Sequence, residues 1–148
     1  MGRLEILSSA LVYVDTSVVI YTIEENPSYY SLLRPLWAMF QANEITIMSS
    51  ELTLMETLVV PLRNSDDTLV ETYEQLLLGS SMHLMSVNQT VLREAARLRA
   101  STNLKTPDAI HAATALMQDC TLFLTNDDAF RRIRDLPVTV LSEVLAAE

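Results

Sequence analysis

The sequence predicts an α/β domain of three layers, α/β/α, built on a central parallel sheet of about five strands. Short apolar runs and longer helical patterns alternate along the whole chain. The first strong run, Leu11-Val12-Tyr13-Val14, is continuously apolar, as expected of a strand covered on both faces. No internal repeat or linker interrupts the pattern, so residues 1–148 read as one domain, long enough to bury a core without staples. Apolar residues at 49% and charged residues at 20% exclude a disordered chain. A single cysteine, Cys120, excludes an internal disulfide framework and a multi-cysteine zinc cluster, and points to a reducing compartment. Ile6 to Val14 is too short, with Glu5 directly before it, for a signal peptide. No segment is long enough to cross a bilayer, so a cytoplasmic protein with no membrane partner is expected.

Taken in order, the first strand ends at Asp15, and Thr16, Ser17 and a helical turn through Ile23 follow. Ligands of open parallel sheets collect outside the carboxyl ends of strands, which puts Asp15 in a functional position. It could equally be a helix N-cap. Residues 28–43 are helical, with Leu33, Leu36, Trp37 and Phe40 as the apolar stripe and Pro35 expected to kink or restart the helix. Apolar surface beyond that stripe suggests a partner face centred on Tyr30, Trp37 and Phe40.

Ile45 to Met48 is a second strand. Ser49 or Ser50 is expected to cap the next helix, and Pro61 to end it near Val60. Within that helix Glu56 has Leu52, Val59 and Val60 as face neighbours, so it is expected to point with the core stripe and to need a proton, a partner or a cation. An amphipathic helix runs to about Leu78, a third strand covers Met82 to Val87, and a further helix runs from Gln89 to about Ser101. Thr121 to Leu124 is a short buried strand followed by Asp127. Asp128 starts a helical segment carrying Phe130 and Ile133, and Val138 to Leu141 is the last strand before a short tail.

Between these lies the stretch that organises the chain, Thr106-Pro107-Asp108-Ala109-Ile110-His111-Ala112-Ala113-Thr114-Ala115-Leu116. Thr106 is expected to be the N-cap and Pro107 the first helical residue, with an Ala-rich run behind them. Asp108 in the first turn suits the positive end of the helix dipole. Its company suggests more: Asp15, Glu56 and Asp127 also stand where an α/β domain least tolerates unpaired charge. Two acids at strand ends, one at a helix start and one on a core-facing helical position can converge at one sheet edge. Clustered carboxylates need protons or hard cations. Oxygen ligands without cysteine favour Mg²⁺ or Mn²⁺ over Zn²⁺, and such ions act on phosphates.

Other chemistries lack their motifs. There is no phosphate-binding GxxxxGK[ST] or GxGxxG loop and no GxSxG elbow, and His83 and His111 have no evident nucleophile partner. His111, three residues after Asp108, could orient a carboxylate or touch phosphate, although a structural role is the commoner one. The net charge of −9 disfavours nucleic acid. Two bound divalent ions would reduce it to −5, and seven of the ten basic residues fall between positions 93 and 134, as a local positive rim or as solvated helix faces.

Four blocks carry a resemblance: Val12-Tyr13-Val14-Asp15-Thr16-Ser17, Ser50 to Thr57, Thr106 to Ala115, and Leu124-Thr125-Asn126-Asp127-Asp128-Ala129-Phe130. In order and spacing they resemble the signature blocks of the PIN domain, most nearly those of VapC-type ribonuclease toxins. The resemblance implies a five-stranded parallel sheet with Asp15, Glu56, Asp108 and Asp127 as ligands of one or two Mg²⁺ or Mn²⁺ ions. It also implies supporting roles for Thr16, Ser17, Thr125 and Asn126, and the Thr-x-Asp spacing favours Asp127 over Asp128. It further implies cleavage of RNA by metal-activated water, a homodimer, and a small antitoxin protein that blocks the site. The competing readings are a PIN-fold module that binds metal or RNA with little turnover, and a receiver-like signalling domain. The second lacks paired acids after the first strand and has only Lys105 as a lysine.

Overall fold

The computed structural model describes residues 2–147 of the chain. Five strands, β1 (Leu11–Val14), β2 (Thr46–Ser50), β3 (His83–Met85), β4 (Leu122–Thr125) and β5 (Val138–Val140), form one sheet in the order β3-β2-β1-β4-β5. Every pairing is parallel, as the unbroken apolar runs predict. The helices are α1 (Thr16–Ile23), α2 (Tyr30–Gln41), α3 (Leu52–Arg63), α4 (Asp67–Gly79), α5 (Gln89–Thr102), α6 (Thr106–Met117) and α7 (Leu141–Ala146), with a 3-10 turn at Asp128–Arg132.

Alternation along the strands divides the core in two. Tyr13, Met48 and Phe123 point to one side and pack with Val91, Ala95 and Leu98 of α5 and Ala109, Ala112 and Ala113 of α6. Val12, Val14, Ile47 and Leu124 point to the other, against Val18 and Val19 of α1, Leu33, Leu36 and Phe40 of α2, and Tyr73 of α4. Helices on both faces explain why central strands can be apolar throughout. The alanines let α6 lie close to the sheet, and this brings its first turn to the sheet's carboxyl edge. After β1 the chain passes to β2 on one side, while β4 lies on the other. The carboxyl ends of β1 and β4 therefore flank the reversal point at which open α/β sheets bind ligands.

Several boundaries differ from the sequence expectation. Ser49 and Ser50 belong to β2, and the position before α3 is Glu51, which makes no side-chain cap. The Ser50 hydroxyl still accepts from the Leu52 N–H at 3.0 Å, so it caps from within the strand. The helix passes Pro61 and ends at Arg63: only the bond to the Thr57 carbonyl is forfeited, and Asn64 N–H closes on the Val60 carbonyl at 3.0 Å. Pro35 likewise sits inside an uninterrupted α2, where both it and Ser31, whose carbonyl it leaves free, are exposed to water. Lys105, not Thr106, holds the N-cap position of α6, so Pro107 is one residue deeper than expected. The tail after β5 is helical, as α7. Asn43, Asn103 and Asp119 take left-handed positions near helix ends, where glycine is otherwise favoured.

The apolar stripe of α2 is core, and of the residues expected to centre a partner face Tyr30 and Trp37 stay partly exposed. Phe40, Leu36 and Leu33 are buried, and Trp37 donates its indole N–H to the Thr22 hydroxyl at 2.8 Å. Phe123 is the hub of the opposite face, stacked on Tyr13 (centroids 5.1 Å, 3° between planes) and against Phe130 at 4.7 Å. Phe123→Ala is expected to lower the unfolding free energy by about 3–5 kcal/mol, read from urea denaturation midpoints.

Candidate active site

Asp15, Glu56, Asp108 and Asp127 line one cavity of about 230 Å³ at the carboxyl edge of the sheet, together with Thr16, Ser17, Tyr21, His111, Asn126 and Phe130. The side chain of Asp15, just past β1, is almost fully enclosed. Its Oδ1 accepts from Ser17 Oγ at 2.6 Å and from the Val18 N–H at 3.3 Å, and Oδ2 accepts from Thr125 Oγ1. Asp15 therefore caps α1 and at the same time lines the cavity. Burial raises its pKa, and the bonds from Ser17 and Thr125 and the nearby His111 only partly offset this.

Glu56 reaches the cavity by a different route from the one its neighbours suggest. The buried stripe of α3 is Thr53, Thr57 and Pro61, while Val59 and Val60 are exposed, so Glu56 lies at the border of the buried face and is half-buried. Its Oε1 accepts from Thr16 Oγ1 at 2.7 Å and meets His111 Nε2 at 2.8 Å. Burial pushes the Glu56 pKa up, but the bonds from His111 and Thr16 and the attraction to His111 outweigh it, and the net shift is downward.

Asp108 lies in the first turn of α6 and is partly enclosed. Its pKa is raised first by burial and then by the charge of Asp127, with Asp15 and Glu56 adding to the push and His111 opposing it. Asp127 is exposed and also caps the 3-10 turn, accepting from the Ala129 N–H at 2.9 Å, while its own N–H donates to Thr125 Oγ1 at 3.0 Å. Of the neighbouring pair, Asp127 lines the cavity and Asp128 begins the 3-10 turn. Asn126 is fixed by the Ser142 N–H on its Oδ1 and donates to the Tyr21 hydroxyl at 3.1 Å, on the cavity wall.

The donor set is carboxylate and hydroxyl oxygen, the chemistry of a hard cation. Among the described residues, however, no group of three or more His, Cys, Asp or Glu is close enough to hold a metal ion directly. The four acids are gathered but do not form a closed ligand shell. Mg²⁺ commonly binds through one or two carboxylates and keeps its other waters, and a cavity with the acids spread over its walls fits that habit.

His111 joins the core to the site. It is buried, and its ring nitrogens meet Glu56 and the Tyr13 hydroxyl, whose oxygen is 2.7 Å from Nδ1. The available signal was its place one turn after Asp108 on the same helix face.

Residues 12–136 match the family model for the PIN domain, and the chain belongs to that family. No curated protein matches it in sequence. Solved structures of similar fold include toxin–antitoxin proteins. One is VapBC2 from Rickettsia felis bound to a promoter DNA fragment, at 18% identity and TM-score 0.66, covering 88% of this chain and 98% of that one. A toxin–antitoxin complex from Klebsiella pneumoniae is 23% identical with TM-score 0.60, covering 89% and 97%. VapC20 of Mycobacterium tuberculosis, a toxin that cleaves the sarcin–ricin loop, is 16% identical with TM-score 0.67, covering 81% and 92%. No helix among the described residues is long and apolar enough to cross a membrane.

The raised pKa of Asp108 fixes a stability prediction. A carboxyl whose folded pKa lies above its unfolded value favours folding below the unfolded value, and that contribution is lost as pH rises through the folded value. The metal-free Asp108→Asn protein is therefore expected to melt at a higher temperature than wild type at pH 7. The gap should vanish below the ordinary carboxylate range, as read by calorimetry in EDTA across pH.

Proposed function

We propose that this protein is a metal-dependent endoribonuclease, the toxin of a toxin–antitoxin pair, with residues 1–148 acting as a single PIN domain in the cytoplasm. The observation that carries the reading is the shared cavity of Asp15, Glu56, Asp108 and Asp127 at the reversal point of the sheet. The family match and the toxin–antitoxin complexes of similar fold support it. By the same likeness the partners are RNA as substrate, a small antitoxin protein and a second copy of the chain.

In this reading the four acids hold one or two Mg²⁺ or Mn²⁺ ions, partly through water. Such ions lower the pKa of a bound water and neutralise charge on the leaving oxygen of a phosphodiester. The chain's part is to keep the acids ionised and aimed. Ser17 and Thr125 share the two oxygens of Asp15, which offsets part of its burial cost. Thr16 holds Glu56, and Thr125 also receives the N–H of Asp127, so one hydroxyl ties the end of β4 to two acids. Asn126 and Tyr21 form the wall beside them and offer polar contacts to an RNA phosphate or sugar.

The open ligand set favours one other reading, a PIN-fold module that binds metal or RNA without useful turnover. Incubation with tRNA and other structured RNAs in Mg²⁺, Mn²⁺ or EDTA separates the two. The nuclease reading expects discrete products with either ion, none in EDTA, and a loss of roughly 100-fold or more in Asp108→Asn. RNA that is bound but left intact by the wild type would support the module.

A further inference from the structure

We propose that His111 is a positioning residue, held by Tyr13, that fixes the carboxylate of Glu56 for cation binding. The inference rests on the reading of Glu56 as a metal ligand. Its basis is a chain of three side chains from three elements: Tyr13 in β1, His111 in α6 and Glu56 in α3. The Tyr13 oxygen is 2.7 Å from His111 Nδ1, and His111 Nε2 is 2.8 Å from Glu56 Oε1. Tyr13 is fully buried and His111 nearly so, with the two rings edge to face at 5.9 Å. Neither ring can swing away without breaking the core.

Donor logic fixes the direction of the chain. An ionised carboxylate only accepts, so Nε2 carries the hydrogen that meets Glu56. In the neutral ring Nδ1 is then the acceptor, and the Tyr13 hydroxyl donates to it. Thr16 Oγ1, 2.7 Å away, donates to the same oxygen, Oε1. Both bonds thus load one oxygen and leave Oε2 without a hydrogen-bond partner among the described residues, available to a cation or its water. A glutamate on a helix otherwise samples several rotamers, and at the half-exposed border of α3 the bonds from His111 and Thr16 together select one.

The arrangement also coordinates the acids with one another. Tyr13 stands in β1 two residues before Asp15, which follows that strand, and His111 three residues after Asp108 on the same helix. The chain therefore locks Glu56 to the two elements that carry Asp15 and Asp108.

Mn²⁺ affinity measured by titration calorimetry on wild type, His111→Ala, His111→Gln and Tyr13→Phe tests this, with His111→Ala repeated in a Glu56→Ala background. Loss of a supporting partner typically weakens metal binding by about 10–100-fold, and that loss is expected for His111→Ala. His111→Gln, whose amide N–H can reach Glu56, should recover most of the affinity, and Tyr13→Phe should weaken it several-fold. In the Glu56→Ala background, removing His111 should change nothing further, which a purely structural role would not produce. Folded His111→Ala or Tyr13→Phe protein that binds Mn²⁺ as wild type does would overturn the proposal and leave the metal site standing. If His111→Ala does not fold, Tyr13→Phe decides alone. Wild type that binds no Mn²⁺ would overturn the metal-site reading and this inference with it.

Discussion

The structure depends on keeping one buried carboxylate ionisable. Asp15 ends the central strand, almost without solvent, where a bare charge would cost several kcal/mol. Its surroundings answer that cost group by group: Ser17 from the turn it begins, the Val18 N–H from the helix it caps, and Thr125 from the neighbouring strand. The compensation is incomplete, since its pKa remains raised. A cation in the cavity would supply the remainder. The same logic extends outward to Asp108, whose neighbours make its charge costlier, and to Glu56, whose partners make its charge cheaper. The cavity is therefore asymmetric, with one acid secured by donors and two under strain from burial and crowding.

Topology explains why the acids meet although 112 residues separate Asp15 from Asp127. In a parallel sheet every strand delivers its carboxyl end to the same edge, so residues following β1 and β4 become neighbours by construction. The α6 helix, packed by its alanines, adds Asp108 from the layer above, and α3 adds Glu56 from beside it. Thr125 is the joint between these parts, bonding both to Asp15 and to the backbone of Asp127. Every buried side-chain nitrogen or oxygen among the described residues finds a partner, so this polar edge is set into the core without orphaned groups.

Much of this was legible in the sequence because strand ends and helix starts are local signals. Val14-Asp15 and the run Thr106-Pro107-Asp108 announce themselves by an abrupt change from apolar to acidic or by helix-start residues. Glu56 lines the cavity, but not for the reason its apolar neighbours suggest. Val59 and Val60 are apolar yet exposed, whereas the buried stripe runs through Thr53 and Thr57, whose hydroxyls bond within the helix or to Ser49. A polar stripe facing a core cannot be told by hydrophobicity alone. Ser49 was read as a cap for the same reason: its hydroxyl is used instead on the Val14 carbonyl across the sheet, a contact 35 residues away in sequence. The partners of His111, Tyr13 and Glu56, come from two distant elements, so the sequence alone does not show them. The bond from the Trp37 indole N–H to the Thr22 hydroxyl is equally invisible in the sequence.

The central claim is that this cavity binds a hard cation through Asp15, Glu56, Asp108 and Asp127. Its most direct measurement is anomalous scattering from crystals soaked in Mn²⁺. The account predicts one or two anomalous peaks inside the cavity, within direct or water-mediated reach of these carboxylates. Manganese found elsewhere on the protein, with the cavity holding only water, would contradict it.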